Sequence, residues 1–124
     1  MKENTSAIDL VFDARYRKLR DSIAEKYFPG SGGKRDACLF AMSIGIKHNK
    51  RIPRNKWSNE KPLSWDDLDR LRARIGDIEV LFTSLDLKKD KISTKEIIDE
   101  FVTGGMKYID DNALDEDGNL CEIS

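Results

Sequence analysis

Lys34-Arg35-Asp36-Ala37-Cys38-Leu39-Phe40-Ala41-Met42-Ser43-Ile44-Gly45-Ile46-Lys47 is the stretch around which the fold is read. Apolar side chains fall on nearly every side of the helix it would form, and a helix without a polar face is one that its neighbours cover all round. Basic residues stand at both ends, Lys34 and Arg35 before it and Lys47 after it. Gly45, near the end, costs about 1 kcal/mol against alanine in a helix interior, so either the helix closes there or another backbone comes close. The stretch predicts a central helix of a bundle.

Upstream, Ile8, Val11, Phe12, Leu19, Ile23 and Tyr27 recur at threes and fours, with Tyr16 bridging the wider step. The spacing predicts one amphipathic helix over 8–28, with Arg15, Arg17, Lys18, Arg20 and Asp21 on its polar face. Pro29-Gly30 ends it by removing a donor and permitting left-handed backbone. Gly30-Ser31-Gly32-Gly33 resembles a phosphate loop but lacks the Lys-Ser/Thr ending, and reads as a flexible linker.

Downstream, Lys47 to Leu63 is polar, contains Pro53 and Pro62, and has no sustained period. Loops longer than about 12 residues in compact domains tend to be functional or disordered, which makes this stretch the first place to look for a partner site. Ser64-Trp65-Asp66-Asp67 reads as a helix start, with a hydroxyl at the cap and carboxylates in the first turn. Leu68, Leu71 and Ile75 give one face, which Ile78, Leu81, Phe82 and Leu85 continue after Gly76-Asp77, as one kinked helix or as two. Lys88-Lys89-Asp90-Lys91 reads as a turn. Ser93-Thr94-Lys95-Glu96 is a full capping box, followed at helical spacing by Ile97, Ile98, Phe101, Val102, Met106 and Ile109. Gly104-Gly105 inside that helix costs on the order of 2 kcal/mol and requires a packing reason or a kink. Asp110 to Ser124 holds six acids and no base and reads as a mobile tail. No segment shows sustained alternation with β-branched enrichment. The expected fold is an all-α, single-domain bundle of four or five helices over residues 1–109, with a long basic loop and an acidic tail over 110–124.

The chain's 124 residues fit one domain, and 39% apolar content supplies a core that needs neither disulfides nor a structural metal. No run approaches the ~20 apolar residues that cross a bilayer. The amino terminus is not followed by an apolar stretch long enough for a secretory signal, so the expected compartment is the cytoplasm. Cys38 and Cys121 lack CxxC spacing, and in that compartment no disulfide is expected. His48 is the only histidine, which excludes a His-rich metal centre. No dinucleotide fingerprint, P-loop or HExxH pattern occurs, and no cofactor or metal is implied.

Charge carries more information in its placement than in its sum. The chain holds 22 Lys and Arg against 23 Asp and Glu, a net charge of −1. Yet Lys47 to Trp57 contains Lys47, Lys50, Arg51, Arg54 and Lys56 with no acid, closed by Trp57. Clustered Lys and Arg neutralise phosphates and release counterions, and an aromatic ring adds a base contact. The functional reading is a nucleic-acid contact loop formed by Lys47, Lys50, Arg51, Arg54, Lys56 and Trp57. Beside it stands a plainer one, a solvated loop whose charges pair with acidic helix ends, Arg51 capping a helix and Trp57 plugging the top of the core. His48 fits an acid or base role, but without a nucleophile or second ligand it reads as a helix-end histidine near the negative pole. Asp110, Asp111, Asp115, Glu116 and Asp117 fail the EF-hand pattern, since counting back from Gly118 puts Ala113 first and Ser124 twelfth. Asp66, Asp67 and Asp69 admit a metal-dependent nuclease, although helix-start electrostatics and an exposed pairing with Arg70 or Arg72 account for them.

Three stretches together carry a family resemblance: Arg35 to Lys47 running into Lys50-Arg51-Ile52-Pro53, the apolar face from Ile78 to Leu85, and Glu100-Phe101-Val102-Thr103-Gly104-Gly105-Met106. They resemble small accessory proteins of bacterial and archaeal DNA phosphorothioation (Dnd) systems. That family's pattern is an apolar helix, Gly, basic residues and Arg-x-Pro, then a late Glu-Tyr-Ala-x-Gly-Gly-Leu, where this chain has Phe101-Val102 in place of Tyr-Ala. The resemblance spans about 34–109 and implies a companion of DNA-modifying or DNA-restricting, phage-defence machinery, with no catalytic residue to carry over. The expected function is a non-enzymatic accessory module that binds DNA or a partner protein of that machinery through the basic loop. The alternative is an oligomeric protein-interaction subunit, without direct nucleic-acid contact, in which Gly104-Gly105 admits a sister chain or a larger partner.

Overall fold

The computed structural model describes residues 9–75 and 91–117. These residues form strand β1 (Asp9–Phe12), helix α1 (Arg17–Tyr27), helix α2 (Gly33–Lys47), strand β2 (Leu63–Asp67), helix α3 (Leu68–Ile75) and helix α4 (Lys91–Asn112), with short 3-10 turns at Ala14–Tyr16 and Arg54–Lys56. The expectation of an all-α bundle is therefore corrected: four helices pack with a two-stranded antiparallel sheet, β1 on β2, and the fold is mixed. The apolar positions Ile78 to Leu85, the first three residues of the turn read at 88–91, the kink at Gly76, and Cys121 lie outside the described residues, while Lys91, the last residue of that turn, already belongs to α4.

The sheet arises where two periods fit the same few residues. In β1, Leu10 and Phe12 are fully buried while Asp9 and Val11 are half-buried, the alternation of a strand. Asp13 decides between strand and helix. Its backbone is extended (φ −63°, ψ 123°) and its carboxylate accepts from the Arg15 N–H, so the helical path restarts after it and not before. The helix expected from residue 8 accordingly begins at Arg17. A carboxylate plays the same part at β2. Asp67 Oδ1 accepts from the Arg70 N–H at 2.8 Å, so the cap of α3 is Asp67, three residues after Ser64, and Ser64 to Asp67 belong to the strand. Asp9 lies opposite Asp67 and Phe12 opposite Leu63, with a register shift between Leu10 and Val11.

Two strands alone do not hold in water, and here α4 secures them. The Val11 N–H donates to Asp99 Oδ1 at 3.0 Å and the Asp13 N–H to Thr103 Oγ1 at 3.2 Å, so side chains from α4 satisfy the free edge of β1. Asp99 and Thr103, one turn apart on α4, are both buried.

Helices α2 and α4 make the principal packing of the molecule, and their small residues explain it. A methyl group at Gly105 would overlap the Ala41 carbonyl, one at Gly45 the Phe101 carbonyl, and one at Gly104 the Lys50 carbonyl. The backbones touch where side chains would have kept them apart, which offsets the propensity cost of glycine in a helix. Around this seam lie Ala37, Cys38, Ala41, Ile98, Val102, Met106 and Ile109, all fully buried. Burial pushes the Cys38 thiol up, away from its reactive thiolate. Leu39, Phe40 and Ile46 on α2 are half-buried, so the central helix is covered on most but not all sides. α1 covers one flank through Leu19, Ile23 and Ala24. α4 continues to Asn112, three residues into the stretch read as tail, and Ala113 behind it is buried. No helix among the described residues is long and apolar enough to cross a membrane.

Gly105→Ala isolates the seam, because propensity and packing act in opposite directions there. Propensity alone raises stability by about 1 kcal/mol, whereas overpacking against the Ala41 carbonyl lowers it by about 1–3 kcal/mol. Urea denaturation is expected to show net destabilisation, and a variant as stable as the wild type contradicts the close approach.

Candidate nucleic-acid interface

The basic loop begins as the C-terminal cap of α2. Asn49 takes the left-handed conformation at φ 53°, the Asn49 N–H donates to the Ile46 carbonyl at 3.2 Å, and the Lys50 N–H donates to the Gly45 carbonyl at 2.8 Å. That pair of bonds is a Schellman motif, with asparagine in the position glycine more often fills. It turns the chain back over α4, where the Lys50 carbonyl rests on Gly104 and the Ile52 N–H donates to the Glu100 carbonyl at 3.2 Å.

Side chains then fasten the loop at both ends. Arg51 donates from Nε at 2.9 Å and Nη2 at 2.7 Å to Glu100 Oε1, and its guanidinium lies 5.5 Å from the centre of the Phe101 ring. Trp57 is buried, and its indole N–H donates to the Ile52 carbonyl at 2.8 Å, closing the loop on itself. Arg54 stacks over the Trp57 ring at 4.9 Å. Ser58 ties the far end down, its N–H and hydroxyl donating to the two carboxylate oxygens of Asp13 at 2.9 and 2.6 Å. Burial acts to raise the Asp13 pKa, but the Ser58 hydroxyl, the Arg15 and Ser58 N–H groups and the Arg15 charge outweigh it and hold the carboxyl below its ordinary value. A polar segment that length alone marks as functional or disordered is thus held to α4 by Arg51 and Ile52 and to the β1–α1 turn by Ser58.

The six residues read as the contact loop divide accordingly. Lys47, Lys50, Arg54 and Lys56 are exposed. Lys47, Lys50 and Lys56 form no ion pair with any described residue. Arg51 is exposed but committed to Glu100, and Trp57 is buried with its indole bonded back to Ile52, so both serve first to hold the loop's shape. Residues from elsewhere in the chain extend the face. Three adjoining cavities of about 430, 380 and 320 Å³ run along it, and Lys107 on α4 lines all three. Lys50 and Arg51 border the largest, Lys56 and Arg15 another, Arg15 and Lys18 the third. Arg15 pairs with Asp13 at 3.0 Å and Lys107 with Asp111 at 2.8 Å. The hydrogen bond to Asp111 raises the Lys107 pKa. The sequence signal for Arg15 and Lys18 was the polar face of the helix read over 8–28; for Lys107, whose i,i+4 pairing reads as an ordinary surface ion pair, there was none.

His48 caps α2 and stacks on Tyr108, rings 4.0 Å apart and 12° from parallel, with Nε2 buried and without a hydrogen bond. Asp66 and Asp67 both pair with Arg70, at 3.4 and 3.8 Å. Among the described residues no three His, Cys, Asp or Glu side chains gather as a metal site would need. No family model, curated protein or solved structure matches the chain.

Behind the loop, Asp99 is buried with Lys95 Nζ 2.6 Å from its Oδ2, and burial pushes its pKa up to about 6 against the pull of Lys95. Between about pH 4 and pH 6 the folded protein therefore holds a proton that the unfolded chain has released, so this group's contribution to stability falls as pH rises through that window. Asp99→Asn keeps an acceptor for the Val11 N–H and removes the titration. Denaturation at a series of pH values is expected to show the variant gaining on the wild type between about pH 4 and pH 7, by an amount on the order of 2 kcal/mol. A constant difference across that range contradicts the assignment.

Proposed function

We propose that this chain is a non-enzymatic module that binds the phosphate backbone of DNA through the face built from the Lys47–Lys56 loop, the start of α1 and the second half of α4. The observation that carries this reading is the set of exposed ammonium groups unpaired among the described residues, Lys47 at the end of α2 and Lys50 and Lys56 on a loop fixed at both ends. A fixed array of cations gains counterion release on meeting phosphates without the cost of ordering the loop first. The net charge of −1 gives no general attraction for polyanions, so binding depends on this face. The resemblance to Dnd accessory proteins adds the setting, an accessory of DNA modification or restriction machinery that holds DNA for a larger partner. The rival reading, a self-associating subunit joined through Gly104-Gly105, loses its motivating feature, because those glycines are buried under Ala41 and the Lys50 carbonyl.

Duplex affinity measured over a salt series tests the proposal. The logarithm of the binding constant should fall linearly with that of salt concentration, and each of Lys47→Gln, Lys50→Gln and Lys56→Gln should reduce the slope by about 1. Absence of binding at low salt, or a slope indifferent to all three substitutions, would falsify it.

A further inference from the structure

The largest of the three cavities has a chemistry different from a phosphate track. It lies between the loop and the last turns of α4, encloses about 430 Å³, and includes Asn49, Lys50, Gly104, Tyr108, Asp111 and Asn112 in its lining. That volume falls within the range of small-ligand pockets and far exceeds what a phosphate group fills. Its charges are mostly spent: Lys107 is held by Asp111, and Arg51 by Glu100. Lys50 is left as the uncommitted cation, and the Asp111 carboxylate on the opposite side disfavours a second anionic group.

The remaining groups are those that recognise a heterocycle. His48 stacks on one face of the Tyr108 ring, and Tyr108 but not His48 lines the cavity. Asn112 Nδ2 donates to the Tyr108 carbonyl at 3.0 Å, which fixes the amide and leaves its oxygen as an acceptor. Asn49 adds an amide, and Asp111 a carboxylate acceptor for ring or exocyclic N–H groups. Gly104 forms the floor because the Lys50 carbonyl leaves it no room for a side chain.

From this arrangement, and resting on the backbone-binding reading above, we infer that the cavity seats one unpaired nucleotide of a bound DNA strand. Its base extends the His48–Tyr108 stack and its phosphate meets Lys50. Stacking on an aromatic side chain tolerates any base, while the amides and carboxylate read its edge. A paired base inside a duplex would have to leave its stack to enter, so strand ends, gaps and single strands are the favoured targets.

The test compares a short single-stranded oligodeoxynucleotide with a strand of equal length composed of abasic sites, both fluorescently labelled. The wild type is expected to bind the base-bearing strand about tenfold more tightly, the order of one base stack. Tyr108→Ala should abolish that preference, and Tyr108→Phe should retain it. Equal affinity of the wild type for both strands overturns the inference without any variant, as does a Tyr108→Ala variant that keeps the wild-type ratio between the two strands. Either result leaves backbone binding standing, since that reading fails separately, by absence of any affinity for the abasic strand at low salt.

Discussion

At Gly104 and Gly105 the backbone of α4 lies directly against Ala41, Gly45 and the Lys50 carbonyl, with no side chain between. Everything that positions the basic face follows from that contact. It draws α2 onto α4 closely enough for the chain leaving α2 to cross α4 at Gly104, which sets the start of the loop. It places Glu100 where Arg51 reaches it and Tyr108 where His48 stacks on it. One turn along the same helix, Asp99 and Thr103 hold the edge of β1, and β1 leads into Asp13, which receives Ser58 at the loop's other end. A single helix thus supplies both the seam and the anchors.

Buried polar groups in this architecture are connectors and not defects. Asp13 accepts from three donors, one on neighbouring Arg15 and two on Ser58, 45 residues away. Asp99 joins a strand to a helix 88 residues away while carrying Lys95 as its counter-charge. Such bonds contribute modestly each, about 1 kcal/mol for neutral pairs, but leaving either carboxylate unpaired in the interior would cost more than its bonds contribute. Their effect is to specify where the loop sits.

What the linear order of residues revealed follows from the range of the forces involved. α4 was legible from apolar residues sustained at helical spacing and α2 as an apolar run long enough for a covered helix, and the glycines signalled close packing through their propensity cost. The strands escaped because Asp-Leu-Val-Phe and Leu-Ser-Trp-Asp-Asp are too short to separate a period of two from one of 3.6. Both also adjoin a carboxylate that caps the next helical turn, Asp13 and Asp67, and at β2 the capping oxygen was sought one strand too early, at Ser64. The basic run was visible as charge. Its division into anchors and free cations was not, because Arg51 finds Glu100 across 49 residues and nothing local distinguishes that arginine from Arg54. Lys107 joined the face only through folding.

The central claim is that the basic loop is a fixed part of the fold, ordered by the α2–α4 seam before any partner arrives. Native-state amide hydrogen exchange tests it at two N–H groups, Lys50 bonded to the Gly45 carbonyl and Ile52 bonded to the Glu100 carbonyl. The account predicts that both exchange slowly in the free protein, with protection approaching that of Val102 and Met106 in the adjoining core of α4. Exchange at the rate of an unstructured chain at Lys50 and Ile52, with the core of α4 still protected, would contradict it.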